Sequence, residues 1–161
     1  MHDVYPCTER SLWTHSDFKK LELASQFGDL VPIALDILER FEEPVVIVSG
    51  PISTGGFGTR DKNLAAFTAA IKHLQLQGRS VFDQTPFEVP LFRMAMEWVS
   101  LNRTGYCMPI LNDFYGPVFR SGRIHTVAFM RGWESSFGAQ WERRVAGDIP
   151  LAIEDLPLIE P

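Results

Sequence analysis

The sequence has little of what marks secreted, membrane-spanning or nucleic-acid-binding proteins. It contains only two cysteines, Cys7 and Cys107, and their spacing suits no metal site, so free thiols in a reducing compartment are expected rather than a disulfide framework. The longest apolar runs, residues 45–48 and 124–130, fall far short of the roughly 20 residues that a bilayer crossing needs. We therefore expect a cytoplasmic protein with no membrane partner.

Positive charge is also scarce. Fifteen basic residues stand against twenty acidic ones, and the net charge of −5 argues against the basic surface that a nucleic-acid polymer requires. Residues 1–11 carry Asp3 and Glu9 and lack the apolar core of a secretory signal, so no export is expected. The sequence predicts neither a metal site nor a cofactor.

The chain does contain an alternation of strand and helix patterns. Residues 45–48 form a β-branched run typical of a strand buried on both faces, a glycine-rich loop follows at 49–59, and residues 61–77 repeat apolar side chains at helical spacing. Further strands are predicted at 79–82, 124–130 and 149–153, and further helices at 87–102 and from 135 or 136 to 147. This order predicts a doubly wound α/β domain over residues 44–161, Rossmann-like or flavodoxin-like, with a mostly parallel sheet of four to five strands.

Residues 1–43 are predicted to form a helical extension that packs on this domain. Residues 1–17 show no clear period and indicate an irregular arm, whereas the apolar spacing from 18 to 41, interrupted by Gly28 and Pro32, predicts two short helices. A short and broken helix is expected between residues 106 and 119.

The glycine-rich loop is the first candidate site. Backbone N–H groups in such a loop hold a phosphate or a sugar hydroxyl when a helix begins next to them. The loop fits neither the P-loop nor the G-x-G-x-x-G pattern, and the alternative is a connection that needs glycine only for its backbone conformation. The residues predicted to contact a ligand are Gly50, Pro51, Ile52 and Gly55.

The second candidate site lies where the third strand leads into the last helix. Ser135, Gly138 and Glu142 share one helical face by their spacing. Ser135 and Ser136 lie at the helix start, where free N–H groups favour an anion or a hydroxyl, and Trp133 borders the same region. The structural alternative is a serine cap, a glycine that permits close packing and a surface glutamate.

Two aspartates are further candidates. Asp113 precedes two aromatic residues and a Gly-Pro pair, and it is either a turn residue or a carboxyl partner of Glu142. Two carboxyl groups about 5 Å apart suit cleavage of a glycosidic bond with retention. Asp83 follows the second strand, where doubly wound sheets bind ligands, unless it only caps a turn.

Taken together, these residues resemble a known family. The strand that enters Ser49-Gly50-Pro51-Ile52, then Asn63, Phe67 and Gly78-x-x-Val81-Phe82, and above all Gly132-Trp133-Glu134-Ser135-Ser136-x-Gly138-Ala139-x-x-Glu142-x-x-x-Ala146 are similar to the nucleoside 2-deoxyribosyltransferase-like superfamily. The resemblance covers residues 44–153. It implies a hydrolase or deoxyribosyltransferase that acts on the N-glycosidic bond of a nucleoside or nucleoside 5′-monophosphate.

The resemblance also implies roles for individual residues. Glu142 matches the nucleophile that attacks the sugar C1′, and Asp113 is similar to the acid that orients or protonates. Ser136 and Gly138 match positions next to the 5′-phosphate in the hydrolase branch, and Gly50 with Ile52 matches its loop. Because a neighbouring subunit completes the site in many relatives, the resemblance implies a homodimer or higher homo-oligomer.

Two alternatives stay open. The chain has Ile47 where the family commonly has a tyrosine, Ser53 where the hydrolase has an arginine and His125 where an aspartate is frequent. These departures favour a non-catalytic module that senses a nucleotide through the same pocket. A phosphoribohydrolase of the lysine-decarboxylase-like group is suggested by the glycines at 55–58 but is disfavoured, because Lys62 stands where that group has a glutamate.

Overall fold

The computed structural model describes residues 12–101 and 103–161, and within them strands and helices alternate as the sequence predicts. The strands are β1 (Val45–Ser49), β2 (Ser80–Phe82), β3 (Thr126–Phe129) and β4 (Ala152–Asp155). The helices are α1 (His15–Leu23), α2 (Leu30–Leu38), α3 (Arg60–Leu76), α4 (Glu88–Ser100), α5 (Gly116–Phe119) and α6 (Phe137–Asp148).

The strands form one parallel sheet in the order β2-β1-β3-β4. β1 is central, and its Ile47 pairs with Phe82 of β2 on one side and Val127 of β3 on the other. All five residues of β1 are buried. A β-branched run suits this position because both faces of a central parallel strand are covered.

Helices cover both faces of the sheet, which confirms the doubly wound arrangement. Val46 and Val48 pack on one face with α3, where Phe67 and Ile71 are buried. Ile47 and its alternating neighbours pack on the other face with α1, α2, α5 and α6. Full burial of each such side chain contributes about 1.5–3 kcal/mol, so the alternation along β1 holds both helical layers.

The two helices predicted before β1 are confirmed, with a short 3₁₀ turn between them at Phe27–Asp29. The irregular arm predicted to residue 17 is wrong at its end, because α1 begins at His15. Thr14 and Asp17 form a capping box that starts the helix before the apolar period begins. The rest of that prediction, for residues 1–11, lies outside the described residues.

Other predicted boundaries need smaller corrections. β4 begins at Ala152 rather than at 149, since Leu151 donates a hydrogen bond to the Ile149 carbonyl and the chain pairs with β3 only after this turn. Between 106 and 119 the helix is short and broken, as predicted: a π-helical turn at Ile110–Tyr115 precedes α5. Gly78 ends α3 with φ +79, the left-handed conformation of a helix C-cap.

Candidate functional site

A cavity of about 510 Å³ lies at the carboxyl ends of the central strands. β1 connects through α3 to β2 on one side, whereas β3 lies on its other side, so the order of the sheet reverses at β1. Doubly wound sheets bind ligands at this reversal point. The cavity receives residues from the loop after β1, from α4, from the π-helical turn and from α6.

Glu142 projects from α6 into this cavity. Glu142 is 8% exposed. The hydroxyl of Ser49, at the end of β1, donates a hydrogen bond to Oε2 of Glu142. Burial raises the pKa of Glu142 to about 8; the Ser49 hydrogen bond lowers it and the negative charge of Glu88 raises it further. The predicted location of Glu142, in one cavity with Gly50 and Ile52, is confirmed.

Glu88, the first residue of α4, is a second carboxyl group in the cavity. Its side chain is 12% exposed, with Nη2 of Arg60 at 3.5 Å from Oε2 and the Tyr115 hydroxyl at 3.5 Å from Oε1. Burial raises the pKa of Glu88 to about 7, against the lowering effects of Arg60 and Tyr115. The cavity therefore holds two acids that both titrate near neutral pH.

Two tyrosines add hydroxyl groups to the same cavity. Burial, together with the charges of Glu142 and Glu88, raises the pKa of Tyr106 and of Tyr115 above its ordinary value. Both hydroxyls consequently stay neutral hydrogen-bond donors over the physiological range. A methyl group on Gly138 would lie 2.9 Å from the Tyr106 Oη, so the glycine leaves the space in which that hydroxyl sits.

Gln84 supplies a buried acceptor. The residue is 2% exposed, and its Nε2 donates a hydrogen bond of 2.6 Å to the Val48 carbonyl, which fixes the orientation of the amide. Its Oε1 has no hydrogen-bond partner among the described residues. Buried polar atoms in native proteins usually have partners, so this oxygen is suited to accept a hydrogen bond from a ligand.

One wall of the cavity is apolar and belongs to α4. It is formed by Leu91, Phe92, Ala95, Met96 and Val99. Phe92 and Met96 remain about half exposed, at 48% and 54%, and the Arg60 guanidinium lies 4.5 Å above the Phe92 ring. The cavity thus has a polar end at the strand termini and an apolar wall of the kind that accommodates a planar ring.

The glycine-rich loop divides into two parts. Gly50 and Ile52 line the cavity, whereas Pro51 and Gly55 do not. Gly55 has φ +71, and a methyl group on it would lie 2.3 Å from the Ser135 carbonyl oxygen. Gly55, which was predicted to contact a ligand, thus lies outside the cavity wall. It is needed for the backbone conformation of the loop and for close approach to the segment before α6.

The residues at the start of α6 divide in the same way. Ser136 lines the cavity, and its hydroxyl accepts a hydrogen bond from the Ala139 N–H as the helix cap. Ser135 faces the loop instead, where its Oγ accepts a hydrogen bond of 2.9 Å from the Gly56 N–H. Trp133 packs edge-on against Phe129 and is not part of the cavity wall. Ser135 and Trp133, predicted to contact a ligand, therefore lie outside the cavity wall.

The two aspartates predicted for the site lie outside it. Asp113 is exposed because the π-helical turn directs Leu111, Phe114 and Tyr115 into the core and leaves Asp113 on the outer side. Asp83 is fully buried, and its Oδ1 accepts hydrogen bonds from the N–H and hydroxyl of Thr85, so it caps the turn after β2. Neither residue lines the cavity.

Sequence patterns alone missed Arg60, Gln84, Glu88, Tyr106 and Tyr115, which line the cavity, and Ser49, which hydrogen-bonds to Glu142. Ser49 ends a fully buried strand, and a hydroxyl at that position is a signal that could have been used. Glu88 is the acid in the first turn of α4, where a favourable interaction with the helix dipole explains it equally well. Tyr115 belongs to an aromatic run without helical or strand period.

Comparisons of the chain with protein-family models, with curated proteins and with solved structures find no match. Over residues 12–101 and 103–161, no helix is both long and apolar enough to span a membrane. The case for a function therefore rests on the geometry of the cavity and on the motif that ends in Glu142.

Proposed function

We propose that the protein acts on the N-glycosidic bond of a nucleoside or nucleoside 5′-monophosphate, as a hydrolase or a deoxyribosyltransferase, with Glu142 as the nucleophile. The observation that carries the proposal is the position of this buried carboxyl, held by the Ser49 hydroxyl in a cavity at the ends of the central strands. A carboxylate at such a position is suited to attack the sugar C1′.

The hydrogen bond from Ser49 orients the attacking group. It occupies Oε2, and the other carboxyl oxygen, Oε1, is the one proposed to attack. A C1′–O bond forms as the C1′–N bond breaks. Water or a second base then takes the sugar from Glu142.

The polarity of the cavity suggests how the substrate lies. We place the sugar at the polar end, where the free Oε1 of Gln84 accepts a hydrogen bond from a hydroxyl, and the base along the apolar wall beside Phe92 and Met96. A 5′-phosphate would meet the N–H groups around Gly50 and Ser136, because Arg60, the one guanidinium of the described residues that lines the cavity, is paired with Glu88.

Release of free base tests the proposal. The protein is incubated with a panel of deoxynucleosides, ribonucleosides and their 5′-monophosphates, and free base is measured by chromatography with and without a second base as acceptor. We expect Glu142→Gln to lower the rate by a factor on the order of 10³ or more, as loss of a nucleophile does. Glu134→Gln is the matched control, because Glu134 is exposed and lies just before the same helix. Absence of base release by the wild type would contradict the proposal.

A covalent intermediate gives a second test. A 2′-fluoro nucleoside destabilises the positively charged transition state and slows turnover, so that the glycosyl-enzyme accumulates. We expect intact-protein mass spectrometry to show one added glycosyl group on the wild type and none on the Glu142→Gln variant. An adduct on both proteins would assign the nucleophile to another residue.

A non-catalytic nucleotide-binding module is the second candidate. It is favoured by the exposure of Asp113 and by Ile47, Ser53 and His125 at positions where the family has other residues. Calorimetric titration with the same panel distinguishes the two functions. Micromolar binding of one compound without base release supports the module, whereas turnover of that compound supports the enzyme.

We also propose that the protein is a homodimer or a higher homo-oligomer in the cytoplasm. Exposed apolar side chains surround the cavity mouth on α4 and on neighbouring segments: Phe57, Phe92, Met96, Val99 and Phe137. Contact with a second copy would cover such a surface. Light scattering coupled to size-exclusion chromatography measures the mass in solution, and a monomeric mass at micromolar concentration would contradict the proposal.

A further inference from the structure

We infer that Glu88 is the second catalytic residue of this cavity, which protonates the departing base and then activates the group that takes the sugar from Glu142. The inference rests on the proposed function and assigns the acid–base role that the sequence had given to Asp113. Glu88 and Glu142 are the two carboxyl groups that line the cavity among the described residues.

Glu88 lies where a leaving base would need a proton. It begins α4, and Phe92 of the apolar wall follows one turn later, so the two side chains share a helix face. A base that packs on Phe92 has its ring nitrogens beside the Glu88 carboxyl. A proton donor must come within about 3 Å of the atom it serves, and Glu88 is the one carboxyl group of the described cavity wall besides the nucleophile itself.

The Glu88 side chain is held in place by two neighbours. Arg60 contacts it twice, since Nη2 lies 3.5 Å from Oε2 and donates a hydrogen bond of 3.2 Å to the Glu88 carbonyl. The Tyr115 hydroxyl lies 3.5 Å from Oε1. Arg60 and Tyr115 are positioning residues in this scheme, because they act through the orientation and charge of Glu88.

The charges around Glu88 make it able both to give and to take a proton. Burial favours its protonated form, Arg60 of α3 and the Tyr115 hydrogen bond favour its ionised form, and Tyr106 and Tyr115 stay neutral. The charge of Glu88 in turn favours a protonated Glu142 on α6, so that near neutral pH the pair holds one proton. Attack requires the form with that proton on Glu88.

The proton balance of the reaction closes with these two residues. As Glu142 Oε1 forms its bond to C1′, the electrons of the C1′–N bond pass to the base nitrogen, which takes the proton from Glu88. In the second half, Glu88 removes a proton from water, or from the N–H of an incoming base, as that group bonds to C1′. The C1′–O bond to Glu142 breaks as this new bond forms, its electrons return to the Glu142 carboxylate, and both carboxyls regain their initial states.

A comparison of leaving groups tests the role of Glu88. One substrate is a deoxynucleoside that the wild type cleaves, and the other carries the same sugar with 4-nitrophenolate, which departs without a proton. We expect Glu88→Gln to lower kcat for the nucleoside by about 10²- to 10⁴-fold and for the nitrophenyl substrate by less than about tenfold. Glu142→Gln should slow both substrates, and Glu97→Gln, an exposed acid on the same helix, should slow neither.

Rescue and folding measurements distinguish the loss of an acid from a merely structural effect of the substitution. Added formate should restore cleavage of the nucleoside by Glu88→Ala at least tenfold, because a small acid replaces the missing carboxyl. Thermal unfolding checks that the variants fold. Equal slowing of both substrates by Glu88→Gln, or no slowing of either, would overturn the role of Glu88 while the proposed function stands. Failure of the wild type to release base from any nucleoside or nucleotide of the panel would overturn the proposed function and the role of Glu88 with it.

Discussion

The Ser49 hydroxyl donates a hydrogen bond to Oε2 of Glu142, a residue 93 positions away in the sequence. This contact joins the end of β1 to the middle of α6, the two elements on either side of the proposed reaction centre. It stabilises the ionised form of a carboxyl that burial otherwise holds protonated. The interaction therefore links the fold of the central strand to the charge of the nucleophile.

Ser49→Ala should move the pH dependence of the reaction. Removal of the donor raises the pKa of Glu142 from its value of about 8, so a smaller fraction of the protein carries an ionised Glu142 beside a protonated Glu88. Activity at pH 7 falls, and the alkaline limb of kcat/KM, which the higher pKa of the pair governs, shifts to higher pH. We expect about a tenfold loss at pH 7 and a smaller loss at pH 9. Base release measured from pH 5 to 10 checks this. An unchanged limb would show that Ser49 does not influence the nucleophile.

Gly138→Ala should damage the cavity without unfolding the chain. The new methyl group would lie 2.9 Å from the Tyr106 Oη and push that hydroxyl from its position. We expect substrate affinity to fall at least tenfold while the unfolding temperature changes by only a few degrees. Gly147→Ala is the matched control on α6, because open space surrounds it, and it should keep full affinity. Equal affinities of the two variants would contradict the expectation.

Glu142→Gln should stabilise the protein at alkaline pH. Because the pKa of Glu142 is raised by burial to about 8, its contribution to stability is present below the unfolded pKa of about 4.3 and is lost as the pH rises through 8. The amide cannot ionise, so at pH 9 the variant should gain on the order of 5 kcal/mol at most over the wild type, and little at pH 4. Urea unfolding at both values measures this. Glu43→Gln, at an exposed acid, should give no such gain.

Asp17→Asn should destabilise the N-terminal helices. The Asp17 side chain is fully buried and takes two hydrogen bonds from the Arg40 guanidinium, at 2.6 and 3.0 Å. Because the Arg40 side chain stays 32% exposed, loss of these charge-assisted hydrogen bonds should cost about 1.5–3 kcal/mol, whereas Asp36→Asn, in the exposed pair with Lys20, should cost less than about 1 kcal/mol. Urea unfolding at pH 7 compares the two variants, and equal costs would contradict the importance of the buried pair.

Asp17 should also make the free energy of unfolding depend on pH in the acidic range. Burial alone would raise the pKa of Asp17, but the hydrogen bonds from Arg40 and Thr14 outweigh it and hold the pKa below its ordinary value. The stabilisation is therefore present above the unfolded pKa of about 3.9 and is lost as the pH falls through the lower folded value. The wild type should lose part of its advantage over Asp17→Asn between pH 4 and pH 2.

Local patterns predicted the elements of the fold well because each carries its own signal. The β-branched run that became β1 and the apolar period of α3 specify a buried strand and a covering helix before any long-range contact forms. The start of α1 was missed because a capping box, rather than an apolar period, begins that helix. The start of β4 was missed because pairing with β3, a contact between distant residues, decides it.

Sequence patterns predicted residues of the candidate site only where a motif placed them on one helix or its start. Spacing within α6 grouped Ser135, Gly138 and Glu142, and the family resemblance added Ser136. The structure brings Ser136, Gly138 and Glu142 to one cavity with Gly50 and Ile52, and leaves Ser135 outside it. Asp113 was predicted as the partner of Glu142, yet the π-helical turn leaves it exposed. One additional residue per turn rotates the side chains that follow it, and sequence spacing does not reveal such a turn.

The amino-acid sequence alone determined the class of the fold, the order of its strands and helices and the helix that carries Glu142, since hydrophobic period and glycine placement act over a few neighbouring residues. Only the tertiary structure decided which side chains surround Glu142: Ser49 from β1 hydrogen-bonds to it, and Gln84 after β2 and Glu88 from α4 line the same cavity. These contacts depend on the strand order β2-β1-β3-β4 and on the rotation of each helix, and both are set by the packing of the whole core.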